Sequence, residues 1–194
     1  MKTKLIILVF FLVSNNVLFG QDTWNFDKSH SKIQFNVSHL VINEVNGSFK
    51  EFDGSIKSEN EDFNGSIVEF TANVATINTD NSKRDEHLKS DDFFNAEKYP
   101  ELIFSGILVK NGEEYQLKGD LTIRGITKPV SFDVNYNGIV KDPWGNTVAG
   151  FKVKGAINRF DFDLKWNALM EAGGAVVGKE VEIICNIELH KQIS

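Results

Sequence analysis

The feature that most constrains this chain is a strict alternation of apolar and polar residues. From Tyr115 to Arg124, Tyr115, Leu117, Gly119, Leu121 and Ile123 hold one phase; Gln116, Lys118, Asp120, Thr122 and Arg124 hold the other. Val130, Phe132, Val134, Tyr136 and Gly138 repeat the pattern. So do Val181, Ile183, Cys185, Ile187 and Leu189, and earlier Ile33, Phe35 and Val37. A side-chain period of two means strands with one dry face and one wet face.

Weaker strands fill the intervals. Residues 66–76 carry Val68, Phe70, Ala72 and Val74 in phase, and residues 147–158 carry Phe151, Val153 and Ile157. Residues 101–109 carry Leu102, Phe104 and Leu108, while Ile103, Ile107 and Val109 make the opposite face apolar as well. Within 45–57, Phe49 and Phe52 stand in opposite phase, which predicts a bulge near Lys50–Glu51. The total is about eight strands, with Thr23–Asp27 as a short extra segment.

Turn chemistry agrees with this reading. Lys110-Asn-Gly-Glu113 is a hairpin signal, Asp142-Pro-Trp-Gly-Asn146 is a turn holding an aromatic, and Gly125–Pro129 links two alternating strands. Strands joined by such short connections are antiparallel. Strands of about 9–12 residues favour a closed barrel over a sandwich, whose strands tend to be shorter. The predicted fold is therefore all-β, an eight-stranded antiparallel barrel. Two stretches break the pattern. Ser82–Ser90 reads as a short helix with Ser82 as N-cap and Asp85 completing a capping box. Residues 159–178, rich in aromatics, read as a long loop over one end of the barrel.

Residues 1–20 read as a cleaved signal peptide: a cationic start, an apolar run from Leu5 to Val13, and a small-residue exit ending at Gly20. The run is too short to span a bilayer. Cleavage there leaves residues 21–194 as a single domain exported to the periplasm or beyond. Loss of Lys2 and Lys4 takes the net charge from −6 to −8. An acidic surface without a basic cluster argues against nucleic acid as a partner. Cys185 is the sole cysteine, which leaves no internal disulfide. The sequence leaves a homodimer open.

Catalytic signals are weak. The four histidines, His30, His39, His87 and His190, form no H-x-H, H-x-x-x-H or H-E-x-x-H pair, so neither metal nor cofactor is expected. His39 extends the inward phase of Ile33, Phe35 and Val37, where a hydrogen-bonded interior histidine is preferred to a ligand contact. Cys185 shares an apolar phase and reads as a core residue without an activating base. The run Arg84–Leu88 is ordinarily a solvated helix face, with the rim of a pocket as the alternative. The aromatic supply weighs more. Phe35, Phe70, Phe104, Phe132 and Phe151 lie on inward phases beside Ala72, Gly106 and Gly119. An eight-stranded barrel can fill with such side chains or leave room for one ligand, and the residues alone do not decide between these.

Several stretches carry a family likeness: Asp27-Lys-Ser-His-Ser-Lys-Ile-Gln-Phe35 with Val37-Ser-His-Leu40; Gly47-Ser-Phe-Lys-Glu-Phe-Asp-Gly54; Arg84–Phe94; and Tyr99-Pro-Glu-Leu-Ile-Phe104. Gly119–Val130, Arg159-Phe-Asp-Phe162 and Val177–Val181 complete the set. Their order and spacing from Trp24 to Leu189 resemble the YceI-like family of exported lipid- or polyisoprenoid-binding proteins. Asp163 departs from the pattern at a place where the family has glycine.

The resemblance implies a lipocalin-like barrel with an apolar tunnel that holds an isoprenoid or fatty chain, and no established catalysis. Expected lining residues are Phe35, Val37, His39, Phe70, Val74, Leu121, Phe132, Val134 and Trp166. Arg84, His87 and Arg159 are expected at the mouth, facing a polar head group. The competing readings are a lipid-modifying enzyme using His39 or His87 as base, and a stress-related interaction protein with an incidental cavity.

Overall fold

The computed structural model describes residues 20–168 and 176–192. Residues 1–19, most of the segment expected to be a signal peptide, and the Gly173-Gly174 pair lie outside the described residues. Among the described residues, eleven strands form one antiparallel sheet: β1 (Asp22–Phe26), β2 (Lys32–His39), β3 (Asn43–Phe49), β4 (Phe52–Ser58), β5 (Ile67–Asn73), β6 (Ile77–Asn78), β7 (Glu101–Asn111), β8 (Glu114–Ile123), β9 (Ile126–Lys141), β10 (Thr147–Asn158) and β11 (Val177–Lys191). Eight of them close a barrel in the order β1-β4-β5-β7-β8-β9-β10-β11, with β11 pairing back onto β1.

Three further strands extend that wall. β11 pairs with β1 through Leu189–Lys191 and with β2 through Val177–Asn186, so β1 and β2 are one wall strand interrupted at residues 27–31. The same holds for β3 and β4, interrupted at Lys50–Glu51, and for β5 and β6, interrupted by a 3-10 turn at Val74–Thr76. The last two breaks clasp each other. Lys50 N–H donates to the Thr76 carbonyl, Glu51 N–H to Thr76 Oγ1 (3.0 Å), and Asn73 N–H to the Glu51 carbonyl (2.9 Å). The bulge expected at Lys50–Glu51 is thus one member of a row of breaks. Each break leaves backbone groups that side chains then satisfy, as the ladder cannot.

The β8–β9 connection is tighter than the sequence predicts. Arg124 (φ 51°) and Gly125 (φ 72°) alone form the turn between Ile123 and Ile126. Positive φ at both central residues matches the twist of a hairpin. Pro129 lies inside β9 opposite Asp120. It is tolerated there because β10 pairs with β9 only from Asp133 onward, so no neighbour on that side requires its missing N–H.

Helix α1 (Ser82–Lys89) forms where expected, but its N-cap is Asn81, whose side chain accepts from Arg84 N–H. Asp85 makes no capping box. It is buried, and its Oδ1 accepts from Thr79 N–H (2.9 Å) and Thr79 Oγ1 (2.6 Å). A second 3-10 turn, Arg159–Phe162, ends on Asp163 with φ 60°. That left-handed conformation favours glycine, and aspartate is among the few other residues that adopt it readily. Asp163 Oδ1 is also held by Lys165 Nζ at 2.6 Å. The departure from the family pattern therefore leaves the turn intact.

Candidate functional site

The inward residues of the barrel strands enclose a cavity of about 130 Å³, roughly ten times the space one water needs. Twenty-two residues line it, among them Phe26, Ile33, Phe49, Ile56, Val68, Leu102, Phe104, Phe151, Val153 and Ile183. Among the described residues that line it, Gln34 is the only amide and none is charged. Such a lining offers water almost no hydrogen-bond partner, so the space suits an apolar occupant.

One end is stopped by an aromatic plug. Phe63, in the loop between β4 and β5, is fully buried. Its ring meets Trp24 at 5.1 Å, Tyr136 at 5.5 Å and Phe151 at 5.0 Å between centroids, distances at which tilted and edge contacts are favourable. The Tyr115 hydroxyl donates to the Asp62 carbonyl at 2.9 Å and holds the loop in place. Burial raises the Tyr136 phenol above its ordinary value. Phe63 is not among the expected site residues; its one signal in the sequence is a lone aromatic within a polar, Gly- and Asn-rich loop.

The opposite end is covered by segments that are not strands. There, among the described residues, β6 has no partner beyond β3, and β9 runs without β10 from Ile126 to Phe132. The rings of His87, Phe93 and Trp166 cluster at this end, with centroids 4.9–5.3 Å apart. Phe94 touches the cavity-lining Phe49 edge to face at 6.1 Å. Arg124 joins the segments. Its guanidinium donates to the carbonyls of Asp91 and Phe93 and to Asp91 Oδ1 (3.0 Å), and lies 3.9 Å from Asp163. From the alternation alone, Arg124 is only a polar-phase strand residue.

Phe35, Phe70, Leu121, Phe132 and Val134 line the cavity as expected. Four other residues do not. Val37 and His39 continue along β2 past its last lining residue, and the His39 ring nitrogen Nδ1 lies 3.1 Å from the Val176 carbonyl. Val74 is buried, but β5 ends at Asn73 and the 3-10 turn carries Val74 out of the lining. Trp166 belongs to the end cluster.

The three expected mouth residues are also committed elsewhere. Arg84 donates through Nε and Nη2 to Thr79, both at 2.7 Å. His87 Nε2 lies 2.9 Å from Asp92 Oδ2, so a histidine–carboxylate pair exists, but neither residue lines the cavity. Arg159 is buried at 2% exposure, and its guanidinium donates to the carbonyls of Gly178, Leu164, Trp166 and Val177. It braces the loop and is not free to meet a head group. Burial lowers its pKa from the usual guanidinium value. Cys185 does line the cavity, and burial pushes its thiol up to about 12.

A YceI-like domain model matches residues 24–189. The chain belongs to the YceI-like family. A UPF0312 protein of Staphylococcus aureus strain MSSA476 is 39% identical over 168 residues, covering 85% of this chain and 95% of that protein. The crystal structure of a Campylobacter jejuni YceI protein is 28% identical, with a TM-score of 0.67 over 80% of this chain and 90% of its own. Burkholderia cenocepacia BcnA, 20% identical, gives a TM-score of 0.71 over 84% and 98% of the two chains. A polyisoprenoid binding domain from Saccharophagus degradans, 12% identical, gives 0.65 over 87% and 98%. The last two are similar in fold.

Proposed function

We propose that this YceI-like protein holds one long apolar chain, a polyisoprenoid or a fatty chain, inside its barrel and shields it from water. The observation that carries this reading is the cavity: twenty-two lining residues without a charge, between an aromatic plug and a cap of loop segments. Burial of each methylene in such a space contributes about 0.8 kcal/mol, and ordering the chain offsets part of that. The fold shared with a polyisoprenoid binding domain supports the same ligand class. Among the described residues no helix is long and apolar enough to cross a membrane. The proposal includes export: the apolar run after the cationic start of the sequence supports removal of residues 1–20 on the way to the periplasm or beyond.

The cap end supports entry of the chain from the side of α1 and Trp166, because backbone ladders close the wall and the fully buried Phe63 plug stops the other end, while side chains and loop segments cover this one. Native mass spectrometry of protein purified from its own host tests the reading. The expected result is a mass increment that organic extraction removes and identifies as an isoprenoid or fatty chain, on a protein whose own mass lacks residues 1–20. A ligand-free protein that also fails to take up a polyprenol or a fatty acid overturns it.

A further inference from the structure

Outside the cavity, the two ends of the chain bring two histidines and two carboxylates together. Asp27 follows β1 at the break before β2. Its Oδ1 accepts from Ser29 N–H (2.8 Å), Ser29 Oγ (2.6 Å) and His30 N–H (3.3 Å). That leaves Oδ2 for two imidazoles: His30 Nδ1 at 2.7 Å and His190 Nε2 at 3.3 Å. Glu188 Oε1 stands 3.8 Å from His30 Nδ1 and 3.6 Å from His190 Nε2. Glu188 and His190 alternate along β11 with Ile187 and Leu189, which are buried, so the first two share the outer face. Burial pushes the Asp27 carboxyl up, but the hydrogen bonds from Ser29 and His30 outweigh it and hold the group well below the usual carboxylate range.

We infer that this cluster is a divalent transition-metal site, with Zn²⁺ as the fitting ion. The ligands are His30 Nδ1, Asp27 Oδ2 and Glu188 Oε1, from a trio whose donor atoms lie within 4.8 Å of one another; His190 Nε2, 3.3 Å from Asp27 Oδ2 and 3.6 Å from Glu188 Oε1, adjoins the trio and would swing in as the fourth. Donors on one tetrahedral zinc at about 2.0–2.1 Å stand roughly 3.4 Å apart, within the spread of separations seen here. A mixed imidazole and carboxylate set suits zinc better than Ca²⁺ or Mg²⁺, which prefer oxygen alone. Asp27 is pre-oriented by its own turn, as supporting hydrogen bonds orient ligands in metal sites generally. The His30 side chain is 65% exposed, which gives an ion a path in.

The ion would staple the break between β1 and β2 to the end of β11. At present that junction is bridged by Ser31, whose Oγ donates to the Glu188 carbonyl and accepts from Glu188 N–H. The cavity takes no part, so this site is independent of the lipid reading.

The test is a titration of untagged, chelator-stripped full chain with Zn²⁺ by calorimetry and with Co²⁺ by visible absorption. Expected are one Zn²⁺ per chain at micromolar affinity or tighter, the intense bands of tetrahedral Co²⁺, and a melting temperature raised by about 5 °C at saturation. Millimolar Ca²⁺ or Mg²⁺ should not displace the zinc. His30→Gln and His190→Gln should each weaken binding at least about tenfold, with circular dichroism unchanged. His30→Gln is the safer variant for folding because that side chain is exposed. No uptake, a preference for Ca²⁺, or equal uptake by the double variant H30Q/H190Q overturns the site; in the last case zinc binds elsewhere and the cluster is an ion-pair network only.

Discussion

Phe35 occupies the space that a side chain at Gly47 would need. The two residues face each other across β2 and β3, and a β-carbon built on Gly47 would lie 2.2 Å from Phe35 Cζ. Phe35 also lines the cavity, so its ring is held between a glycine and that space. Gly47→Ala should drive the ring toward the cavity. The expected cost is about 1–3 kcal/mol of overpacking, with weaker uptake of an apolar probe. Urea denaturation and fluorescent fatty-acid displacement measure the two effects, and an unchanged midpoint with unchanged uptake contradicts the packing described.

Filling the cavity should separate binding from folding. Ile183 lines the space and is only half-buried, so its side chain has room to grow inward. Ile183→Trp is expected to reduce uptake of a fatty or isoprenoid probe at least about tenfold while the melting temperature stays within about 4 °C of wild type. Undiminished uptake would place the ligand somewhere other than the barrel interior.

Much of the barrel was legible because its information is local. The hairpin of Tyr115–Ile123 on Ile126–Val134 follows from two alternating runs and a short turn, and the phase flip between Phe49 and Phe52 marked the Lys50–Glu51 break. The break after Asn73 was not legible. Val74 stays in phase with Val68 and Phe70, but the Asn73 side chain accepts from Ala75 N–H and turns the backbone out of the ladder. Period two reports which face a residue takes, not its height along the barrel axis. That is why Phe35, Leu121 and Val134 were placed correctly while Val37 and His39, on the same phase, lie past the cavity. Pairings across the whole chain, such as His190 with Asp27, leave no local trace at all.

Arg159 should act as a brace. A buried guanidinium that serves four backbone carbonyls cannot be replaced by an ammonium on a flexible stem, which lacks the planar fork. Arg159→Lys is expected to cost about 2–4 kcal/mol, since charge-assisted hydrogen bonds are lost and carbonyls stay buried. Hydrogen exchange should rise first at residues 164–168 and 176–178. A variant with wild-type stability and exchange would return Arg159 to the role of head-group contact.

Cys185 reports on the cavity without any mutation. With its thiol pushed up to about 12 by burial, Cys185 carries almost no thiolate at pH 8. Iodoacetamide should leave the folded protein unlabelled over hours and label it promptly in urea, as followed by intact mass. Emptying the cavity by organic extraction should speed labelling by a small apolar maleimide more than labelling by a charged one. Rapid labelling of the folded chain by the charged reagent would mean that water reaches the barrel interior.

Acid should loosen the plug through Asp62. The hydrogen bond from Lys110 Nζ, at 3.0 Å, and that from Asn64 N–H hold this carboxyl below its ordinary value of 3.8. A carboxyl depressed on folding contributes stability that is present above its unfolded pKa and lost as pH falls through the folded value. The contribution is small because the pair is partly exposed and screened by solvent. It is local, however, since the next residue is the buried Phe63. As pH falls below 3.8 toward the depressed folded value, fluorescence of Trp24, whose ring packs on Phe63, should change before global unfolding. Asp62→Asn should flatten that early step and leave the main acid transition in place. If the step persists unchanged in Asp62→Asn, another carboxylate controls the plug and the Lys110 bond is incidental.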